Sequence, residues 1–437
     1  MDTTILPLGG DPDFASLHAL KPERYPFLLK STARADHLGR YEILFAFPGK
    51  SIVADGNEEF LQQLNDAFLT EREPVASDLP FSGGWFLYLG YELAAEIEPA
   101  LELRKDSLLP AAFAVRCPAA LIRDLDTGEV VLTAEPGANV DVSAVRRDIG
   151  ELRTEPGDGQ PIRIVSLVEE TPEHFLDAVQ AAREYIEAGD IYQANLSREW
   201  QIRADEDIDA ALLFRALSRA NPAPFAGIAH WRGREIVSSS PERLLCIRNG
   251  IASTRPIAGT RPRSVDPDKD QALLDELIAH PKERAEHVML IDLERNDLGR
   301  ICVPGTVEVD EMMVVESYAH VHHIVSNVRG RLRDDVLPGD SIRAVFPGGT
   351  ITGCPKVRCM EIIAELEDGP RGAYTGSFGY LNKDGSLDLN ILIRSIVVDG
   401  QLASFRAGSG IVADSEPTAE LAETRAKAEG LVRALSQ

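Results

Sequence analysis

The chain has 437 residues, 44% of them hydrophobic, with 45 Lys and Arg against 70 Asp and Glu and a formal net charge of −25. That length supports a large core, as two or three domains or as one large mixed fold. The acidity argues against a nucleic-acid or anionic-membrane partner, which would need a basic surface, so an anionic substrate has to be drawn in by a local positive site.

The N-terminus, "MDTTILPLGGDPDF", has no basic stretch followed by an apolar one, so no signal peptide is expected. No uninterrupted apolar stretch is long enough to span a bilayer. The five cysteines, Cys117, Cys246, Cys302, Cys354 and Cys359, are odd in number and form no Cys-x-x-Cys pair. A disulfide framework or zinc site is therefore not expected, and a reducing cytoplasm is the expected home.

Residues 1 to about 150 alternate short apolar runs with turn signals ("RYEILFAF", "GGWFLYLGYEL", "AAFAVRCPAALIRDL", "GEVVLTAEP"), which predicts an N-terminal strand-rich subdomain. "ELRTEPGDGQPIRI" reads as a linker, and a second, motif-dense region covers 165–437. There, "TPEHFLDAVQAAREYIEAGD" predicts a helix with Thr171 as N-cap and Pro172 at its first position. "IYQANLSREWQI" predicts a strand, and "EIVSSSPERLLCIRNGIASTRPIAGT" more strand. "DKDQALLDELIAHPKERAEHVMLIDLERNDLGR" is helical in two pieces broken at Pro281. The tail "SEPTAELAETRAKAEGLVRALSQ" is a helix with Ser415 or Thr418 near its start. The pattern is α+β.

Glu283 and Glu286 sit three residues apart, so a helix puts both carboxylates on one face, and Glu420 and Glu423 repeat that spacing in the tail helix. Two such helices meeting across a pocket would suit Mg²⁺, a cation of oxygen ligands. On spacing alone, two solvated acidic faces are the ordinary reading. "FPGGTITGCPK" offers tight turns and close backbone approach but lacks the Walker A spacing. In "AGSGIVADS", Gly408 and Gly410 either aim N–H groups at a carboxylate or make a plain turn. His320, His322 and His323 lack the partners of a zinc site, and a buried structural histidine is the default.

Taken together, "GDIYQANLSR", "SSSPERLL", "TRPIAGTRPR", "KERAEHVMLIDLERNDLGR", "VHHIVSNVRG", "FPGGTITGCPKVRCMEII", "AYTGSFGYL" and "AGSGIVADSEPTAELAET" closely resemble the chorismate-utilising enzymes, namely the component I chains of anthranilate synthase and aminodeoxychorismate synthase. The resemblance covers nearly all of 180–430 in order. It implies the large mixed fold of that family, two β-sheets packed with helices outside. It also implies Mg²⁺ between the two acidic helices, with Glu286 and Glu423 as direct ligands and Glu283 and Glu420 beside them. By the same resemblance Gly408, Gly410, Tyr374, Arg394 and Lys427 hold the substrate carboxylates, and Thr260 and Thr350 line the ring. His323 lies near the departing C4 hydroxyl and Glu242 protonates it, which requires a raised pKa. His320 and His322 are left as structural.

Nucleophile choice divides this family. Members that add water carry a lysine base where Gln193 stands here, so the resemblance implies ammonia. Aminodeoxychorismate synthases often carry a nucleophilic lysine where this chain has Ala258, and "PIAGT" is the anthranilate form. In the other direction, "LLKSTARADHLGRYEIL" (28–44), with Lys30 where anthranilate synthases have a glutamate, resembles the aminodeoxychorismate group. Asn195 in "YQANL", "FPGGTITG" and "GGWFLYLGYEL" do so as well. These outweigh Ala258, and the implied product is 4-amino-4-deoxychorismate, toward 4-aminobenzoate and folate, with anthranilate as the alternative. No cysteine has the context of an amidotransferase nucleophile, so ammonia is expected from a separate glutamine amidotransferase subunit. A non-catalytic regulatory paralogue is the competing class. It has no physical reason to keep a self-repelling acidic cluster.

Overall fold

The computed structural model describes residues 4–8, 10–33, 39–54, 59–74, 78–152, 162–317 and 321–436, apart from the side chain of Lys282. Among them, eleven α-helices surround two antiparallel sheets, one of twelve strands and one of ten. The α+β expectation of two sheets with helices outside holds.

The apolar runs of the N-terminal section become strands because their alternate residues face an aromatic layer between the sheets. Phe27, Phe45, Phe81, Phe86, Phe113, Trp231 and Phe378 fill it. Phe27 stacks on Phe86 with ring centroids 3.8 Å apart, and Phe113 on Trp231 at 4.1 Å. Burial of each such ring is worth about 1.5–3 kcal/mol. The outer face of the larger sheet packs against helices Phe14–Leu20, Ala210–Ala220 and Pro417–Leu435, and that of the smaller against Phe60–Glu71, Pro281–Gly299 and Pro338–Val345.

Strands from both sides of residue 150 share each sheet. In the larger, Phe27–Lys30 pairs with Phe225–Trp231; in the smaller, Gly84–Leu89 pairs with Ser377–Asn382. The chain also steps between sheets. Arg234–Ser240 lies in the larger and Arg243–Arg248 in the smaller, while Leu387–Asn390 lies in the smaller and Ser395–Asp399 in the larger. The two crossovers are bonded to each other, Ile391 N to the Glu242 carbonyl at 3.0 Å and Ser239 N to the Arg394 carbonyl at 3.1 Å. Glu242 and Arg394 thus stand side by side at the seam.

The predicted helix Pro172–Glu187 forms with Thr171 at its N-cap, although the threonine side chain makes no capping bond. The helical segment before residue 300 breaks at Pro281 into Pro267–Ala279 and Pro281–Gly299. The tail helix, Pro417–Leu435, starts where expected, between Ser415 and Thr418, and its N-cap is Glu416. The Ser415 hydroxyl is already taken by the Val412 N–H in the preceding turn, and Thr418 lies inside the helix.

Candidate functional site

The strand Gln193–Ala204 runs antiparallel to Leu402–Ile411, with Asn195 opposite Gly410 and Ser197 opposite Gly408. Both glycines are required by close approach. A β-carbon on Gly408 would stand 2.5 Å from the Tyr374 hydroxyl and 2.7 Å from Asn195 Oδ1, and one on Gly410 would stand 2.5 Å from Gln193 Nε2. Tyr374, Asn195 and Gln193 therefore crowd one bare patch of backbone, which leaves no room for a side chain at either glycine. Lys427 caps the patch, donating to the Gly408 carbonyl at 3.0 Å and pairing with Glu423 at 2.7 Å.

Tyr374 is buried, and burial, opposed by Arg371, Arg406 and Arg394, pushes its phenol up to about 12. It is a hydroxyl donor at any ordinary pH. Arg394 has φ 53° and the neighbouring Thr375 φ 62°. Left-handed backbone at an arginine and at a β-branched residue costs on the order of 1–3 kcal/mol each. Burial lowers the Arg394 pKa, with Tyr374 and Glu423 acting against it, yet a guanidinium remains charged. The sheet crossover thus aims a half-buried cation at Tyr374.

Beneath this surface lies a cluster that the sequence reading missed. Arg371 donates to Glu367 at 2.6 Å, to the Asn195 carbonyl at 2.6 Å and to the Ile351 carbonyl at 3.1 Å. Arg406 reaches the other Glu367 oxygen at 3.2 Å and the Ser197 hydroxyl at 2.9 Å. Burial raises the Glu367 pKa, but Arg371 and Arg406 outweigh it and hold the carboxyl below its ordinary range. Glu367 and Arg371 lie four residues apart across the loop that ends helix Lys356–Leu366, a spacing that carries no signal by itself. Arg406 comes from a distant strand that only the fold brings near.

At the opposite wall, Ile257–Pro262 pairs with Val321–Arg331, Thr260 facing His323 across a bulge at Gly259. The Thr260 hydroxyl and His323 Nδ1 are 2.9 Å apart. Burial, assisted by Arg394, drives the His323 pKa down to about 4, so the ring is neutral at physiological pH. Glu242 is buried, and desolvation pushes its carboxyl up to about 7 against the Thr350 hydroxyl, the Ile257 N–H and Lys427. Thr350 stands close to Glu242 without the geometry of a hydrogen bond, and its hydroxyl has no partner among the described residues. Ala258, one residue from Ile257, presents only a methyl group. The structure therefore gathers Gln193, Glu242, Thr350, Tyr374, Arg394, Gly408, Gly410 and Lys427 at the seam, with Thr260 and His323 on the wall described above.

The four metal-side glutamates are more dispersed. Glu283 pairs with Arg261 at 3.1 Å, and a β-carbon on Gly259 would stand 2.8 Å from its Oε2. Glu286 is half-buried on the same helix. Glu420 is buried and accepts from the Ser409 hydroxyl, whereas Glu423 is exposed beside Lys427. No group of three or more His, Cys, Asp or Glu side chains among the described residues forms a ready metal cage. The donor set still fits Mg²⁺, which takes one or two protein carboxylates and completes its shell with substrate oxygens and water. His322 bonds Ser317 at 2.7 Å and Asp270 at 3.2 Å, the structural role expected of it. His320 and the "ADH" of the N-terminal signature lie outside the described residues. No helix among the described residues is long and apolar enough to cross a membrane.

Residues 25–433 match the family model for chorismate binding enzymes. An anthranilate synthase component I-like protein of Synechocystis is 40% identical over 91% of this chain and 83% of its own length. Aminodeoxychorismate synthase component 1 of Bacillus subtilis is 47% identical over 61% of this chain and 56% of its own length. The crystal structure of anthranilate synthase component I from Streptococcus pneumoniae superposes with a TM-score of 0.79 at 29% identity, covering 91% of this chain and 95% of that one.

Proposed function

We propose, from the premise that this chain belongs to the chorismate binding enzymes, that it joins ammonia to chorismate to give 4-amino-4-deoxychorismate. It is a chorismate-utilising enzyme of the anthranilate synthase component I type, and the proposal concerns which product it makes. The observation that carries the choice is Lys30. It lies directly across the sheet from Glu42, which is fully buried, with 3.0 Å between the charges. The glutamate that the resemblance gives anthranilate synthases at this position would set two carboxylates side by side, one of them without solvent.

In the reaction a C–N bond forms, the C4–O bond breaks, and the hydroxyl leaves as water with a proton from Glu242. A carboxyl with a pKa of about 7 holds that proton near neutrality and can release it. The incoming nitrogen then sheds a proton of its own. Tyr374, Arg394, Lys427 and the backbone at Gly408 and Gly410 receive substrate carboxylate, while Thr260, Thr350 and neutral His323 border the ring. Glu286 and Glu423, with Glu283 and Glu420 beside them, would hold Mg²⁺, which when bound neutralises a substrate carboxylate. Ala258 supplies no nucleophile, so ammonia attacks without a covalent enzyme intermediate. A glutamine amidotransferase subunit is the proposed ammonia source.

Anthranilate formation is the second reading, favoured by Ala258. The purified chain, incubated with chorismate, Mg²⁺ and an ammonium salt, with and without an aminodeoxychorismate lyase, separates the two by liquid chromatography and mass detection. The expected result is 4-aminobenzoate only when the lyase is added; anthranilate without it would overturn the proposal.

A further inference from the structure

Helix Pro281–Gly299 carries Glu283 and Glu286 in its first half and its apolar anchors in its second. Leu290, Ile291 and Leu298 are buried, whereas of the described side chains among its first nine residues only His287 is. With a rise of about 1.5 Å per residue, Glu286 stands roughly 6 Å and Glu283 roughly 10 Å beyond the nearest of those anchors. The pair of Glu283 with Arg261 is no substitute, because Glu283 is itself one of the proposed metal-side carboxylates.

His287 is fully buried, and its Nε2 lies 2.7 Å from the Ser326 hydroxyl. That hydroxyl, also fully buried, accepts the Met313 N–H at 2.8 Å, which leaves its one hydrogen for Nε2. Met313 stands at a bulge with φ 54°, and Ser326 lies three residues beyond His323 on the strand Val321–Arg331. The bond therefore ties the glutamate-bearing half of the helix to the wall that carries His323. His287 Nδ1 meets no partner among the described residues. A buried nitrogen left so is unfavourable, and an apolar side chain would fill the site without that cost, so packing does not account for the histidine. A directional bond does.

On a helix whose side chains reach roughly 5–6 Å from its axis, a rotation of about 20° carries a carboxylate through about 2 Å. Mg²⁺ takes its oxygens at about 2.0–2.1 Å in a near-octahedral shell and tolerates little error. Resting on the metal reading under the proposed function, we infer that His287 is a positioning residue for the ion. Held by Ser326, it sets the rotation of the helix and so the direction in which Glu283 and Glu286 face.

The test is direct binding of Mn²⁺, a paramagnetic stand-in for Mg²⁺, to the full chain with chorismate present and no ammonium, read by electron paramagnetic resonance of the free ion. His287→Phe, near in volume, and Ser326→Ala, which removes the bond from its other side, should each raise the Kd about 10–100-fold. His287→Gln, whose amide head reaches the position of Nε2, should stay within about threefold of the unsubstituted chain. A glutamine variant as weak as the phenylalanine one would overturn the inference, because the directional bond would then not be what matters. If His287→Phe does not fold, Ser326→Ala carries the same expectation. No Mn²⁺ bound by the unsubstituted chain would sink the metal reading and this inference together. Mn²⁺ bound more weakly by Glu286→Gln, yet with unmoved Kd in His287→Phe and Ser326→Ala, would sink this inference alone, whatever their unfolding midpoints, since the histidine would then be merely structural.

Discussion

Behind Gly408, Gly410 and Tyr374 the charges are buried and paired: Glu367 holds both Arg371 and Arg406, and Arg371 in turn fixes the strand that carries Asn195. By contrast, Glu283 and Glu423 reach partly or largely into solvent, where Arg261 and Lys427 pair with them. The first group is preorganised by the folded chain. The second is assembled from flexible side chains whose present partners a cation can displace. Under the proposed function, carboxylate recognition would be built in advance, while the proposed metal ligands would stay exchangeable.

Breaking the rigid group should have the largest effect. Glu367→Ala leaves two buried guanidinium groups without their anion and should lower stability by about 3–5 kcal/mol, read by denaturant unfolding. A loss below about 1 kcal/mol would mean that this group is no better ordered than the other. Glu242→Gln at the seam comes next, with kcat lowered by roughly 10²–10⁴ and little change in the KM for chorismate. Intact turnover in that variant would remove Glu242 from the chemistry.

Glu286→Gln and Glu423→Gln should raise the Mg²⁺ concentration for half-maximal rate by about 10–100-fold, by analogy with the loss of a metal-site partner, with thermal unfolding almost unmoved. If either variant unfolds as readily as Glu367→Ala, the contrast between the two groups fails.

The smallest effects are in pH dependence. The folded pKa of Glu242, about 7, lies above its ordinary 4.5, so the native state holds more protons than the unfolded one between these values. Stability from this group is therefore full below pH 4.5 and lost as pH rises to about 7. At pH 8, Glu242→Gln should gain on the order of 2–3 kcal/mol over the unsubstituted chain, and at pH 4 almost nothing. His323 works in the opposite sense. Its folded pKa, about 4 against 6.5, contributes stability above 6.5 that is lost as pH falls toward 4. Unfolding midpoints at pH 4, 6 and 8 check both signs.

The sequence made the elements near the site readable where local chemistry decided them. Pro281 broke the helix because proline lacks an N–H, and the alternating run at Gln193 became a strand. The tail helix starts beside Ser415 and Thr418 as expected, and only its cap, Glu416, was not legible, because Ser415 serves the preceding turn. The site residues were legible through a resemblance, and for most of them the structure adds a reason, such as the close approach at Gly408 and Gly410. Asn195 entered the sequence reading only as a mark of subfamily. The Glu367 cluster depends on Arg406, from a strand far away in the chain.

The seams between early and late strands have a consequence for synthesis. When Phe27–Lys30 and Gly84–Leu89 leave the ribosome, each has a neighbour on one side only. Their open edges, "FLLK" and "GWFLYL", wait for Phe225–Trp231 and Ser377–Asn382. At ~5–20 residues per second that delay runs to tens of seconds for the second seam. Two apolar edge strands unpaired for so long are templates for aggregation, a hazard that the fold removes only when its last strands pair.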